Sequence, residues 1–172
     1  AISVRLSRRV KKVFKVVKME EKIAKDFLAV RNYADKILVM KDSTATVDLA
    51  AQTLGCEPAR IAKTLSFDVR EKTVMLVCAG TAKVDNKKFK ETFSTKAKML
   101  RAEEVADRTG FPVGGVCPFT EQNDGLEIYL DDSLKVFDYV YPACGTPNTA
   151  IKLTIQELED LVEPKSWVAV TK

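Results

Sequence analysis

A chain of 172 residues has room for one compact domain with a real core and little room for two. With 46% hydrophobic and 30% charged residues it has an ordinary globular composition, and no apolar run is long enough to cross a bilayer. It contains no histidine, which removes any Ser–His or Cys–His dyad, any imidazole base and any mixed Cys/His zinc site, and its net charge of +4 is unevenly spread.

Residues 1–41 carry a balance of +8 and the remainder −4. A basic arm beside a mildly acidic body suits a polyanionic partner, and it equally suits a solvated helix face. Residues 5–18 hold seven basic residues and no acid, with Leu6, Val10, Val13, Phe14 and Val17 at helical spacing. This predicts an amphipathic helix whose stripe packs on the body. Membrane-surface docking is the weaker reading, because the stripe is modest and lacks Trp. No apolar run or small-residue cleavage site follows, so a secretory signal is not expected. A second helix is predicted from Glu20 to about Arg31, with Ile23, Phe27 and Leu28 inward.

Ile37–Met40 reads as a short strand. Thr46 is placed to cap a helix over Val47–Leu54 that ends at Gly55. Pro58 opens a helical turn. Ile61–Phe67 and Thr73–Ala79 read as strands split by the polar turn Asp68–Lys72. Asp85–Phe93 and Ala102–Thr109 read as helices, the second closed by Gly110. Strands are then expected at Leu126–Leu130, Val136–Val140 and Ala150–Leu153. Thr154 and Glu157 form a capping box for a helix to about Val162. Pro164 stops that helix, and Trp167–Val170 closes as a strand. Helices and strands mix without a βαβ rhythm. The predicted fold class is α+β, with a mixed, partly closed barrel-like sheet flanked by helices. A basic helical segment over residues 1–34 and one domain over 35–172 is the expected organisation.

Three segments carry candidate chemistry. Gly114-Gly115-Val116-Cys117-Pro118-Phe119 offers backbone amides for a developing oxyanion, or simply a tight turn. Ala143-Cys144-Gly145-Thr146-Pro147-Asn148 is a loop of small residues, suited to a pocket wall or to a plain connection. Lys63 stands in an apolar strand pattern, on the face of Ile61 and Leu65. It either snorkels to an edge, points into a wet cleft, or sits on an exposed face. The cysteines, Cys56, Cys78, Cys117 and Cys144, are widely spaced and lack a CxxC pair. They read as reduced cytoplasmic thiols, mostly buried. A thiol enzyme built on Cys117 has no adjacent base or cation to activate it.

Taken together, these segments resemble the YbaK family of aminoacyl-tRNA deacylases, related to the editing domain inserted in bacterial prolyl-tRNA synthetases. The resemblance runs from about Asp42 to Val170. It rests on Ser43-Thr44-Ala45-Thr46-Val47, Ile61-Ala62-Lys63-Thr64-Leu65, Lys83-Val84-Asp85, the Gly114–Phe119 motif, and Gly145 before Ile151-Lys152-Leu153-Thr154. It implies hydrolysis, without metal or other cofactor, of a small amino acid mischarged on tRNA. Alanine, cysteine or serine are the classes expected, with tRNA-Pro one candidate carrier. Implied catalytic residues are Lys63, Gly114, Gly115 and Val116. Implied substrate contacts are Thr44, Cys117, Pro118, Phe119, Gly145 and Thr146. Arg8, Arg9, Lys11, Lys12 and Lys15 are the expected RNA contacts. Aminoacyl-tRNA is the expected partner, a synthetase a second candidate, and a membrane none. The base implied is the neighbouring ribose hydroxyl or the substrate amine. Ala150 stands where members that clear cysteine from prolyl-tRNA carry an acid, which leaves alanine, serine or another small residue open. The rival reading is a non-catalytic module that only holds the tRNA acceptor end.

Overall fold

The computed structural model describes residues 22–172. The basic segment over residues 5–18 lies outside them. Helix α1 covers 22–29 and buries Ala24, Phe27 and Leu28, the i, i+3, i+4 face expected of an amphipathic helix. Those three side chains join the main core, so residues 22–28 pack into the same body as the sheet.

Strand β1 (Leu38–Val39) precedes helix α2 (Val47–Leu54). Thr46 caps α2, its hydroxyl accepting from the amide of Leu49 at 3.2 Å, and Gly55 ends it at φ 69°. β2 (Ile61–Val69) and β3 (Lys72–Ala79) then form an antiparallel hairpin. Its two-residue turn holds Arg70 and Glu71 at positive φ, which L side chains adopt only when something fixes them. Asp68 does so, accepting from the Glu71 amide while Arg108 donates to Asp68 and Thr73. Arg108 also holds the Asp68 carboxyl below its ordinary range.

Helices α3 (Asn86–Phe93) and α4 (Ala102–Thr109) follow, then β4 (Leu126–Asp131), β5 (Tyr139–Pro142), β6 (Thr149–Ala150), β7 (Leu153–Thr154), α5 (Ile155–Val162) and β8 (Ser166–Val168). Six strands make one curled half-barrel sheet in the order β7-β5-β2-β3-β4-β8, while β1 and β6 pair separately. The sheet is mixed: β3–β4, β4–β8 and β2–β5 are parallel, β2–β3 and β5–β7 antiparallel. The α+β class and barrel-like sheet read from the sequence are therefore the observed ones.

Alternation sorts the strands into two cores. Ala62, Met75, Val77, Ile128 and Leu130 face the main core under α1 and α5. Phe67, Val74 and Leu76 face a second core, which Phe89 and Phe93 of α3 cover. Burying such a Phe side chain stabilises by about 2–3 kcal/mol. The Thr154–Glu157 capping box forms in both directions, at 3.1 and 3.0 Å.

Two expected strands change character. Val136–Val140 becomes a 3-10 turn at Asp132–Val136 followed by β5. The Asp131 carboxylate accepts from the Ser133 amide and starts that turn, leaving Val136 exposed. Ala150–Leu153 divides between two sheets. Ala150 pairs with β1, Leu153 with β5, and the Ile151 amide between them donates to Pro142.

Candidate active site

A cavity of about 440 Å³ opens on β2. Its walls come from the Thr44–Val47 loop and α2, the strand stretch Ile61–Ser66, the segment from Met99 to Val105, the glycine loop, and Tyr141 to Ala150. Much of the lining is small: Ala45, Ala50, Ala62, Ala143 and Ala150. No carboxylate lines it among the described residues, and Lys63 is the one cationic lining residue.

Lys63 reaches its place from the β2 hairpin. It stands opposite Cys78 and extends to the loop that follows β3. Its ammonium donates to the carbonyls of Gly80 at 3.1 Å and Ala82 at 2.6 Å. Two of three ammonium donors are thereby used, and one is left for a ligand. Gly80 must be glycine, because a Cβ there would collide with the Pro58 carbonyl.

The glycine loop is held from behind. Gly114 has φ 86°, and a Cβ on it would come 2.9 Å from that of Ala45. Its closeness to the Thr44–Val47 loop sets one wall. Gly115 does not line the cavity. Its amide donates to Pro112 at 2.9 Å, and a Cβ on it would meet the Gly145 carbonyl carbon and oxygen at 2.8 Å. Gly115 is thus a contact between two loops, and its amide is already spent. Gly114 and Val116 do line the cavity, and neither amide has a backbone acceptor among the described residues.

Of the body residues singled out from the sequence, the structure brings Thr44, Lys63, Gly114 and Val116 to the cavity. It places Cys117, Pro118, Phe119, Gly145 and Thr146 behind the wall, all outside the lining. Cys117 and Phe119 are fully buried in the main core, and Pro118 between them is buried as well. The Thr146 hydroxyl shares a hydrogen bond with Thr149 at 2.7 Å and is taken up within its own loop. Arg8, Arg9, Lys11, Lys12 and Lys15 lie outside the described residues. Met99, Val105, Tyr141 and Thr149 line the cavity without having been expected. They come from four separate segments, and no local motif marks them.

Burial pushes the Cys117 thiol up to about 12, although its sulfur faces the amides of Phe119 and Gly145. It stays protonated at neutral pH and is a poor nucleophile. Cys117→Ala is expected to keep most of any hydrolytic activity and to cost about 1 kcal/mol of stability through the small void it leaves. Loss of activity in a folded Cys117→Ala protein, read beside its melting curve, would restore the thiol mechanism.

Residues 41–161 match the model of the aminoacyl-tRNA editing domain. The chain belongs to that family. The editing domain here is 46% identical to the uncharacterized protein YwhH of Bacillus subtilis (strain 168) over 142 residues, covering 82% of this chain and 90% of that one. It is 29% identical to the proline–tRNA ligase of Thermosipho melanesiensis over 102 residues, 59% of this chain and 18% of the ligase. Among solved structures, a candidate trans-editing enzyme for prolyl tRNA synthetase superposes with a TM-score of 0.77 at 28% identity, covering 89% of this chain and 97% of that one. The hypothetical protein APE2540 superposes with a TM-score of 0.70, also at 28% identity, covering 79% and 90%. In this editing domain Ala150 lies on the cavity wall, so its small side chain is part of the pocket's shape. No group of three potential metal-ligating side chains stands together among the described residues.

Proposed function

We propose that this editing domain hydrolyses the ester of tRNA mischarged with a small amino acid, acting in trans as an aminoacyl-tRNA deacylase. The observation that carries this reading is the pairing of one lysine with a cavity walled by alanines and free of carboxylates. An aminoacyl ester is already activated, so positioning and oxyanion stabilisation suffice for large accelerations. Lys63, with one donor free, clamps the ribose or phosphate of the terminal nucleotide. The untaken amides of Gly114 and Val116 are the donors for the oxyanion. Removing one such donor typically costs about 10²–10³ in rate. The attacking water passes a proton through the adjacent ribose hydroxyl to the ribose oxygen that departs as the ester C–O bond breaks. The reading requires no metal.

A panel of tRNAs charged with alanine, cysteine, serine and proline tests it, with and without EDTA and with and without prolyl-tRNA synthetase. Release of a small amino acid, unaffected by EDTA, is the expected result. Tight binding of tRNA with no release from any member would favour the non-catalytic module.

The basic segment before α1 is proposed to bind phosphates of the tRNA. Replacing Arg8, Arg9, Lys11, Lys12 and Lys15 by Gln is expected to weaken tRNA binding and flatten its salt dependence, by roughly one unit of log–log slope for each phosphate no longer neutralised. Single-turnover rates at saturating tRNA should stay near those of the parent. Equal affinity and equal salt slope in the variant would make the face a solvated surface only.

A further inference from the structure

β2 pairs with β3 along its length, but its other edge is covered in two pieces. β5 covers the first, with Ile61 opposite Tyr141 and Ala62 opposite Pro142. The segment around Met99 covers the second. There the Leu100 amide donates to the Ser66 carbonyl at 3.0 Å, and the Asp68 amide donates to the Lys98 carbonyl at 2.8 Å. Between the two covers the edge is open at Lys63–Leu65.

Backbone polar groups of alternate residues point to the same side of a strand in an antiparallel ladder. Ser66 and Asp68 turn theirs away from β3, so Thr64 does the same. Its N–H and C=O both face the opening, and no backbone partner takes either. The Ser66 amide points the same way and is also untaken. The Thr64 hydroxyl oxygen is buried without a partner as well. Thr64 and Ser66 line the cavity, and Ala143, Met99 and Leu100 bound the opening.

More than nine-tenths of buried peptide groups in proteins are paired, so a free donor and acceptor on one residue in a cavity mark a place for a ligand. The pair is one unfilled rung of a ladder. An α-aminoacyl ester has the matching groups, an ammonium donor and a carbonyl acceptor on either side of one tetrahedral carbon. The cavity offers no carboxylate to the ammonium, which leaves a main-chain carbonyl as its acceptor.

We infer that the aminoacyl group docks on the open edge of β2 as a strand one residue long. Its ammonium donates to the Thr64 carbonyl, and its ester carbonyl accepts from the Thr64 amide. This is strand addition at its smallest scale. Recognition then falls on groups common to all amino acids, and the alanine-lined wall limits the side chain. A substrate whose amine is acylated loses the ammonium and brings bulk to the same rung, so the site discriminates against it.

The inference rests on the deacylase reading, and its test separates the two. Single-turnover cleavage of alanyl-tRNA is compared with that of N-acetyl-alanyl-tRNA. A second arm replaces Thr64 by its α-hydroxy acid, which deletes the N–H and keeps the side chain. A third arm follows backbone amide resonances during titration with 3′-deoxy-3′-(alanylamino)adenosine, a non-hydrolysable amide analogue. The expected results are cleavage slower by at least about tenfold for the acetylated substrate, and a KM raised about tenfold in the α-hydroxy variant, the equivalent of one net hydrogen bond. The Thr64 and Ser66 amides should shift at low analogue concentration. Equal cleavage of both substrates, or saturation without movement of those two amides, overturns the inference and leaves the deacylase reading standing. Shifts at Thr64 and Ser66 without hydrolysis of any mischarged tRNA keep the docking mode and remove the deacylase.

Discussion

Lys63→Ala is expected to lower the single-turnover rate of deacylation by about a hundredfold, the loss typical when a group that positions the substrate is removed. The structure adds a second consequence. The ammonium satisfies the carbonyls of Gly80 and Ala82. Without it both lose their partner at a half-buried position, at a cost of about 1–2 kcal/mol. Rate and stability must therefore be read together. Lys63→Met keeps the apolar stem and removes only the donors, so it should match Lys63→Ala in rate and melt closer to the parent. Lys63→Arg should not rescue, because a planar fork cannot replace a compact ammonium between two carbonyls. A folded Lys63→Ala protein with half the parent rate or more would end the proposed role.

Gly115→Val is expected to be destabilising rather than locally obstructive. A Cβ at Gly115 would stand 2.8–2.9 Å from backbone atoms of Gly145 and Thr146, and backbone cannot swing aside as a flexible side-chain end can. Overpacking of this kind costs about 3 kcal/mol. At this chain length that lowers the melting temperature by roughly 6–12 °C. Activity should fall as well, because the two loops separate and Gly114 and Val116 lose their backing. Gly115→Ala should show a smaller form of the same change. A parent-like melting curve for Gly115→Val, with activity lost, would instead put the glycine against the ester.

The sequence was most informative where a residue's role is local. Caps at Thr46 and Thr154, the hairpin at Asp68–Lys72 and the lysine in β2 are set by neighbours a few positions away, and they were legible. The wall of the cavity was not. Thr149 and Met99 line one cavity only because the fold brings β6 and the segment before α4 to it. The motif Gly114–Phe119 was recognisable as a unit, but its residues divide between lining and core according to which way each side chain turns. The opening at Thr64 was invisible for a further reason. It is defined by where two neighbouring pairings stop, and no residue type announces the end of a pairing. Val136–Val140 misled because its apolar run is broken by a carboxylate-capped turn whose capping residue, Asp131, precedes the run.

The paired strands β1 and β6 give the cavity wall an unusual dependence. Ala150, on that wall, sits opposite Leu38, and Ala24 of α1 approaches Gly145. Both props come from residues that precede the stretch matched by the family model, which starts at residue 41. A fragment trimmed to that match would retain every cavity-lining residue and still lose the scaffolding behind two of its loops. Its backbone amides near Thr149 and Cys144 would then exchange with deuterium faster than in the longer chain, since the rungs that protect them would have nothing to lean on. The boundary of shared ancestry and the boundary of mechanical support fall at different places in this chain.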